Sequence, residues 1–214
     1  MAKFTTWTDV DVFMESAIGA EVAASVITKA SEGVMTTGAA HGITTGDYVL
    51  VKAQGMTEVN GRIFRAKAAS GSSLTLEGEN TTNYGTFTSG TVQKITFGTT
   101  ISTLTSVSGN GGTFEPIDTT LIHDKAKSSI PGLASATEYT FESVWDVSDA
   151  GLIAAKQASS TKAQKAFMIV FSNGQRVVFY GYIGAQLIPG GSTGGMVTTS
   201  VTISAQGELT TYAS

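Results

Sequence analysis

One stretch, Ala166–Gly184 (AFMIVFSNGQRVVFYGYIG), constrains the fold of this chain more than any other. Two β-branched and aromatic runs flank Ser172-Asn173-Gly174-Gln175. Asn173 and Gly174 tolerate the positive φ that a two-residue type I′ turn demands, so the stretch is expected to form a tight β-hairpin. Such a turn pairs Phe171 with Arg176, Ile169 with Val178 and Phe167 with Tyr180. Neither run alternates between apolar and polar residues: Phe167 to Phe171 is continuous, as is Val177 to Tyr180. A strand apolar on both faces is covered on both faces. One cover is the domain's own core. The other has to be a helix, a second sheet or a neighbouring subunit.

Composition bears on that choice. Charged residues are 14% of the chain, against roughly 25% in typical soluble domains. Hydrophobic residues are 41%, and the mean hydropathy is +0.12. A surface so short of charge points either to burial in an assembly or to a weakly charged all-β protein with many turns. A net charge of −4 without any basic run argues against nucleic-acid binding through phosphate neutralisation. The absence of cysteine excludes disulfides, thiolate metal sites and cysteine nucleophiles. No charged-then-apolar leader precedes a cleavage site, and no apolar run approaches ~18 residues. The expectation is a soluble protein made without a secretion signal.

Along the chain, residues 1–8 read as a short arm. From Asp9 to Glu15 the pattern alternates, with Val10, Val12 and Met14 on one face and the acids on the other, as in a half-buried strand. Ser16 to Ser25 is ambiguous between a loop and a helical turn. Short β-like pieces then recur at Val26-Ile27-Thr28, Tyr48–Val51, Arg62–Ala66 and Ser73–Leu76. Turn signals at Gly46-Asp47, Asn60-Gly61, Gly71-Ser72 and Tyr84-Gly85 punctuate them. This texture suggests a small barrel or sandwich over residues 26–95. Lys94 to Val107 reads as one or two strands. Ser108 to Pro131 is polar, rich in glycine and long for a connection within a domain, so it is either disordered or functional. Ser135 to Val147 returns to alternation. Asp149 to Ala158 reads as a helix with Ser148 as N-cap and Val147 stapled to Leu152. Met196 to Ala205 is a final alternating strand.

The chemistry-bearing residues do not assemble into a catalytic pattern. His41 precedes a glycine in a turn, which fits a structural role. His123 with Asp124 and Lys125 lies in the polar connection without a pocket, and reads as a solvated or interfacial group rather than an acid/base cluster. No HExxH, EF-hand spacing, GxSxG elbow or P-loop is present, so no catalytic residue, cofactor or metal is expected. Trp7 and Trp145 lack basic neighbours and read as packing residues.

Two resemblances give these readings a frame. Residues 26–95, on the blocks AAHGITTGDYVLV (Ala39–Val51), GMTEVNGRIF (Gly55–Phe64) and TTNYGTFTSGTV (Thr81–Val92), resemble a small module of many phage structural proteins. That module is related by sequence to the FCCH domain of ubiquitin-activating enzymes, and the resemblance implies no activity. The remainder resembles the lambda-like siphophage major tail tube proteins. The match rests on the excursion Ser108–Pro131, on the strand-then-helix unit TEYTFESVWDVSDAGLIAAKQ (Thr137–Gln157), and on Ala166–Pro189 followed by VTTSVTISAQGEL (Val197–Leu209).

The resemblance implies an all-β chain: a tail-tube β-sandwich (1–25 and 96–214) with one flanking α-helix, interrupted by a small barrel-like domain (26–95). It implies a structural virion protein, not an enzyme, whose homohexameric rings stack into a tube that conducts DNA during ejection without binding it specifically. Implied partners are further copies of the chain and the tape measure, tail terminator and tail-tip proteins, with assembly in the host cytoplasm, location in the phage tail and no membrane insertion. Phe114, Glu115, Ile117, Asp118, Leu121, Ile122, His123, Asp124 and Lys125 are expected in a loop between rings or subunits, disordered in the monomer and ordered on stacking. Phe167, Ile169, Phe171, Val178 and Tyr180 are expected on inter-subunit strands. Asp9, Asp11 and Glu15 are candidates for an acidic lumen face. The alternative is a tail decoration module binding a host-surface glycan or protein.

Overall fold

The computed structural model describes residues 6–213, so most of the N-terminal arm lies outside the described residues. The strands are β1 (Asp11–Ile18), β2 (Val22–Ile27), β3 (Val34–Thr37), β4 (Tyr48–Gln54), β5 (Arg62–Ser70), β6 (Ser73–Leu76), β7 (Ser89–Thr100) and β8 (Leu104–Asn110). After these come β9 (Phe114–Asp118), β10 (Ser129–Ala134), β11 (Glu138–Val144), helix α1 (Ala150–Thr161), β12 (Gln164–Val170), β13 (Arg176–Gly184) and β14 (Thr198–Tyr212). Among the described residues the chain is all-β with one α-helix and a single 3-10 turn at Thr57–Val59.

Six strands close on themselves in the order β2-β3-β6-β5-β4-β7, with β7 returning to pair with β2. Closure leaves no unpaired strand edge, the usual liability of a small sheet. Met35, Val49, Val51, Phe64, Leu74, Leu76 and Val92 fill the interior. Short β3 carries no sequence signal beyond Val34-Met35 and was not anticipated. His41 is structural here: its Nδ1 accepts from the Ile43 N–H (3.0 Å), and Nε2 contacts the Ser73 carbonyl (3.2 Å).

β7 links two regions. Its first half pairs with β4, from Ser89 to Ile95, and its second half pairs with β1, from Ile95 to Thr100. From there a second antiparallel arrangement runs β7-β1-β12-β13-β14-β11-β8. One face of it buries Val12, Met14, Phe141, Phe167, Ile169, Phe179, Ile183, Val201 and Ile203 beneath α1. The rings of Phe167 and Tyr139 stack on Phe179, with centroids 5.5 and 4.8 Å away. Alternation along β1, β11 and β14 predicts this face correctly.

The helix runs further than the sequence suggests and is capped differently. Asp149, not Ser148, is the N-cap, its carboxylate accepting from the Leu152 N–H at 2.8 Å. The same carboxylate accepts from the Ser102 hydroxyl (2.5 Å), tying the helix start to the end of β7. Ser148 instead donates to Asp146 (2.6 Å). Val147 is exposed while Leu152 is buried, so no staple forms. A carboxylate that reaches two segments at once outcompetes the neighbouring hydroxyl. Gly151, a weak helix former, is required by packing: a Cβ there would lie 2.5 Å from the Thr100 carbonyl oxygen.

The hairpin turn also differs from expectation. Val170 pairs with Arg176, Ile169 with Val177 and Phe167 with Phe179. Gly174 alone takes positive φ (83°), with its N–H bonded to the Phe171 carbonyl (2.8 Å) and the Phe171 N–H to the Gln175 carbonyl (2.9 Å). This is a three-residue loop, a type I turn closed by a glycine in the left-handed region, instead of a two-residue I′ turn. The extra residue shifts the pairing by one and exchanges which β13 side chains share a face with Phe167.

The second apolar face of the hairpin is covered from within the chain. Ala166, Met168 and Val178 pack with Tyr48 and Leu50 of β4, Ile63 of β5, Ile95 of β7 and Tyr212 of β14. β4 is itself apolar on both faces, with Val49 and Val51 inside the barrel and Tyr48 and Leu50 outside it. The two doubly apolar elements therefore meet each other. Polar bonds fasten the junction: the Tyr212 hydroxyl accepts from the Arg65 N–H (2.6 Å), and Arg176 donates to the Tyr48 hydroxyl (3.1 Å). Burial pushes the Tyr212 phenol well above its ordinary value. The expectation that a neighbouring subunit supplies the second cover is corrected here.

Candidate assembly surfaces

Ser108–Pro131 is not a featureless loop. β9 and β10 form a two-stranded hairpin that prolongs the β8–β11 ribbon, with Ile117 opposite Ile130 and Pro116 opposite Pro131. Local bonds shape its tip: Asp118 accepts from the Thr120 N–H (2.8 Å) and Asp124 from the Leu121 N–H (2.8 Å). The hydrogen bonds from Thr120 hold the Asp118 carboxyl below the usual range. All nine residues expected in this loop are exposed. Phe114, Ile117, Leu121, Ile122 and Ile130 are more than half exposed, Ile122 reaching 95%. A two-stranded ribbon is at best marginal in water by itself, and this one leaves its large apolar side chains in solvent. Sequence reasoning missed its strand character because two prolines and three glycines interrupt the run; the cross-strand pairing of Ile117 and Ile130 was the available signal.

The residues expected on inter-subunit strands sit elsewhere. Phe167, Ile169 and Val178 are fully buried, and Phe171 and Tyr180 are half-buried. Phe171 packs against Trp7, ring centroids 5.3 Å apart, and Tyr180 lies at the barrel junction. β12 and β13 are paired on both edges within the chain. These five residues build the subunit's own cores. Edges without a strand partner, among the described residues, include the outer side of β8, the outer sides of β9 and β10, and the second half of β7 on the side that β4 leaves at Ile95.

Of the acidic candidates, Asp9 and Asp11 are exposed. Glu15 is only 4% exposed, bonded to Lys165 (3.0 Å) and to the Ala166 N–H (3.3 Å). Irregular pairing on both sides of Glu15 turns it inward, so its place on a lumen face is withdrawn. Among the described residues no group of His, Asp or Glu could hold a metal ion, and no helix is long and apolar enough to cross a membrane.

A family model described as phage tail tube protein, TTP, matches residues 54–214. The chain belongs to that family. Its members are structural, not enzymatic, and a tail tube protein is a component of the bacteriophage virion, located in the tail. No curated protein matches the chain. Among solved structures, a chain described as the tail of an empty GTA particle computed with helical refinement in C6 symmetry is similar, at 20% identity and a TM-score of 0.42. The likeness covers 55% of this tail tube chain and 87% of that one.

Proposed function

We propose that six copies of this tail tube protein form a ring, that the rings stack, and that the resulting tube conducts DNA during ejection. The observation that carries this reading is the β9–β10 arm: a solvent-exposed ribbon whose apolar side chains are left uncovered by the described residues, on a member of the tail tube family. The arm is the contact between rings, and ordering it against a neighbour offsets the exposure of Leu121 and Ile122. Residues 26–95, extended back to Val22 because the whole of β2 belongs to the closed barrel, are an inserted domain set between two parts of the tube domain. Asp9 and Asp11 face the passing DNA, where a negative wall disfavours sticking. Tape measure, tail terminator and tail-tip proteins are the partners, and assembly takes place in the host cytoplasm.

Negative-stain microscopy of concentrated protein tests the reading. Rings and tubes of regular diameter are expected, and their absence under all conditions, including with tail-tip complexes added, counts against it. Deleting Phe114–Leu133 and joining the ends through glycines is expected to leave a folded monomer that does not polymerise. Normal tubes from that variant would remove the arm from the stacking contact.

A further inference from the structure

The arm has a counterpart on the same subunit. Where β11 ends, Trp145, Val147, Leu187 and the Ile153, Lys156 and Ser160 side of α1 line an open groove of about 570 Å³. The Trp145 indole forms a fixed wall, its Nε1–H donating to the Leu187 carbonyl at 3.1 Å. Val147 and Ile153 are more than half exposed, at 67% and 51%. Large apolar side chains left in water on both the groove and the arm are two halves of an unmade contact.

Topology shows why one subunit does not close this contact on itself. β8 and β11 pair from Asn110–Glu138 at one end to Leu104–Ser143 at the other. The arm leaves from the Asn110–Glu138 end; the groove lies just past Val144, at the opposite end. At ~3.3 Å per residue the length of β11 separates them by roughly 20 Å. Leu121 and Ile122 are 69% and 95% exposed, so the arm does not fold back onto its own groove. A knob and a socket at opposite ends of one axis are satisfied by a copy displaced along that axis, a head-to-tail contact that repeats without closing. The charges suit such a copy: the tip carries Lys125 and Asp124 beside its apolar pair, and the groove rim carries Asp146 and Lys156.

We propose that Leu121 and Ile122, at the tip of the arm, dock into the groove between Trp145 and α1 of a second copy of this chain. The proposal rests on the stacking reading above and names the receiving surface for it.

The chain has no cysteine, which makes disulfide trapping clean. Ile122→Cys and Ile153→Cys are introduced in separate full-length chains, mixed, assembled at high concentration and oxidised. Both positions are exposed, so folding is retained, and a disulfide forms only if the two Cα atoms come within ~7 Å. The expected result is a covalent dimer containing one chain of each kind, and a ladder of multimers from a chain bearing both substitutions. Assemblies without the mixed dimer, or a link formed inside the monomer of the double variant, would overturn the pairing. Ile153→Glu is expected to raise the concentration needed for assembly at least ~10-fold, about 1.4 kcal/mol, with an unchanged melting temperature. An unchanged threshold in Ile153→Glu, while the arm deletion still abolishes assembly, would overturn the groove and leave the stacking role of the arm intact. Failure of the unaltered chain to assemble at all would overturn both.

Discussion

The barrel strands and the rest of the subunit treat their surfaces in opposite ways. The barrel is sealed: its strand ring is closed, and most of its charges are paired. Every ion pair among the described residues except Glu15–Lys165 has a partner on the barrel strands or their turns, including Arg65–Glu77, Lys67–Glu32 and Lys94–Asp47. Of the large apolar side chains left exposed, Val26 alone belongs to the stretch 26–95. The remainder of the chain carries the unpaired strand edges, the apolar arm and the apolar groove. A protein that polymerises has to confine its unfinished surface to where the neighbours bind. On the proposed reading, the difference is what assembly contacts lying outside the barrel would leave behind: a barrel with finished surfaces and a remainder with unfinished ones.

The largest expected effect tests whether the two regions are independent. Phe64→Ala opens a cavity in the barrel and is expected to destabilise the subunit by ~3–5 kcal/mol. Because Tyr48, Leu50 and Ile63 share a core with Met168 and Val178, calorimetry is expected to show one unfolding transition shifted as a whole. Two separated transitions would show that the junction does not couple the regions. Leu50→Ala, at the junction itself, is expected to cost ~2–5 kcal/mol and to split the transition, measured in the same way.

Tyr212→Phe is a finer probe of the junction. It leaves the Arg65 N–H without its 2.6 Å acceptor, a loss of ~1–3 kcal/mol. It also changes the alkaline limb of the stability curve. The folded-state phenol titrates above its ordinary value of 10 because of burial. Its stabilisation is therefore complete below pH 10 and is lost as pH rises above it. Denaturant titrations from pH 9 to 11 are expected to show a steeper fall in the unaltered chain than in Tyr212→Phe.

The acid limb probes the barrel. Hydrogen bonding from Arg65 holds the Glu77 carboxyl below its ordinary 4.5, with burial opposing it. That contribution is present above the ordinary value and is lost as pH falls through the lowered one. Glu77→Gln is expected to flatten the fall in stability below pH 4.5 and to cost at most ~1 kcal/mol at neutral pH. The smallest effect on stability belongs to the arm: Leu121→Ser with Ile122→Ser is expected to change monomer stability by less than ~0.5 kcal/mol while abolishing assembly. A large loss of stability there would mean that the arm packs on its own subunit.

Much of the architecture was legible in the residues. The alternation Val10-Val12-Met14, the Tyr139–Phe141 parity and the Val201–Ile203 face each reported a core that exists. The doubly apolar hairpin correctly announced two covers. What it left open was the identity of the second, since β4 carries the same doubly apolar signature and lies more than a hundred residues upstream. Local chemistry also hid the turn: Asn173-Gly174 serves a two-residue or a three-residue loop equally well, and only the strand pairing decides. Glu15 read as a surface acid because an irregular ladder is invisible in a strictly alternating pattern. The arm was legible as an anomaly of length but not as a ribbon, since Gly111, Gly112, Pro116 and Pro131 mask its pairing.

The continuity of β7 has a practical consequence. One 12-residue strand belongs first to the barrel and then to the sheet, so the two bodies share a single peptide axis. A one-residue insertion near Ile95 would turn every following side chain to the other face and rotate one body against the other. Engineered cargo should therefore not enter at the borders of the barrel. The Gly71-Ser72 turn between β5 and β6 is open, with nothing within 4 Å of a Cβ placed on Gly71. A peptide grafted there would be presented by every subunit at a fixed orientation, set by the strand that both bodies share.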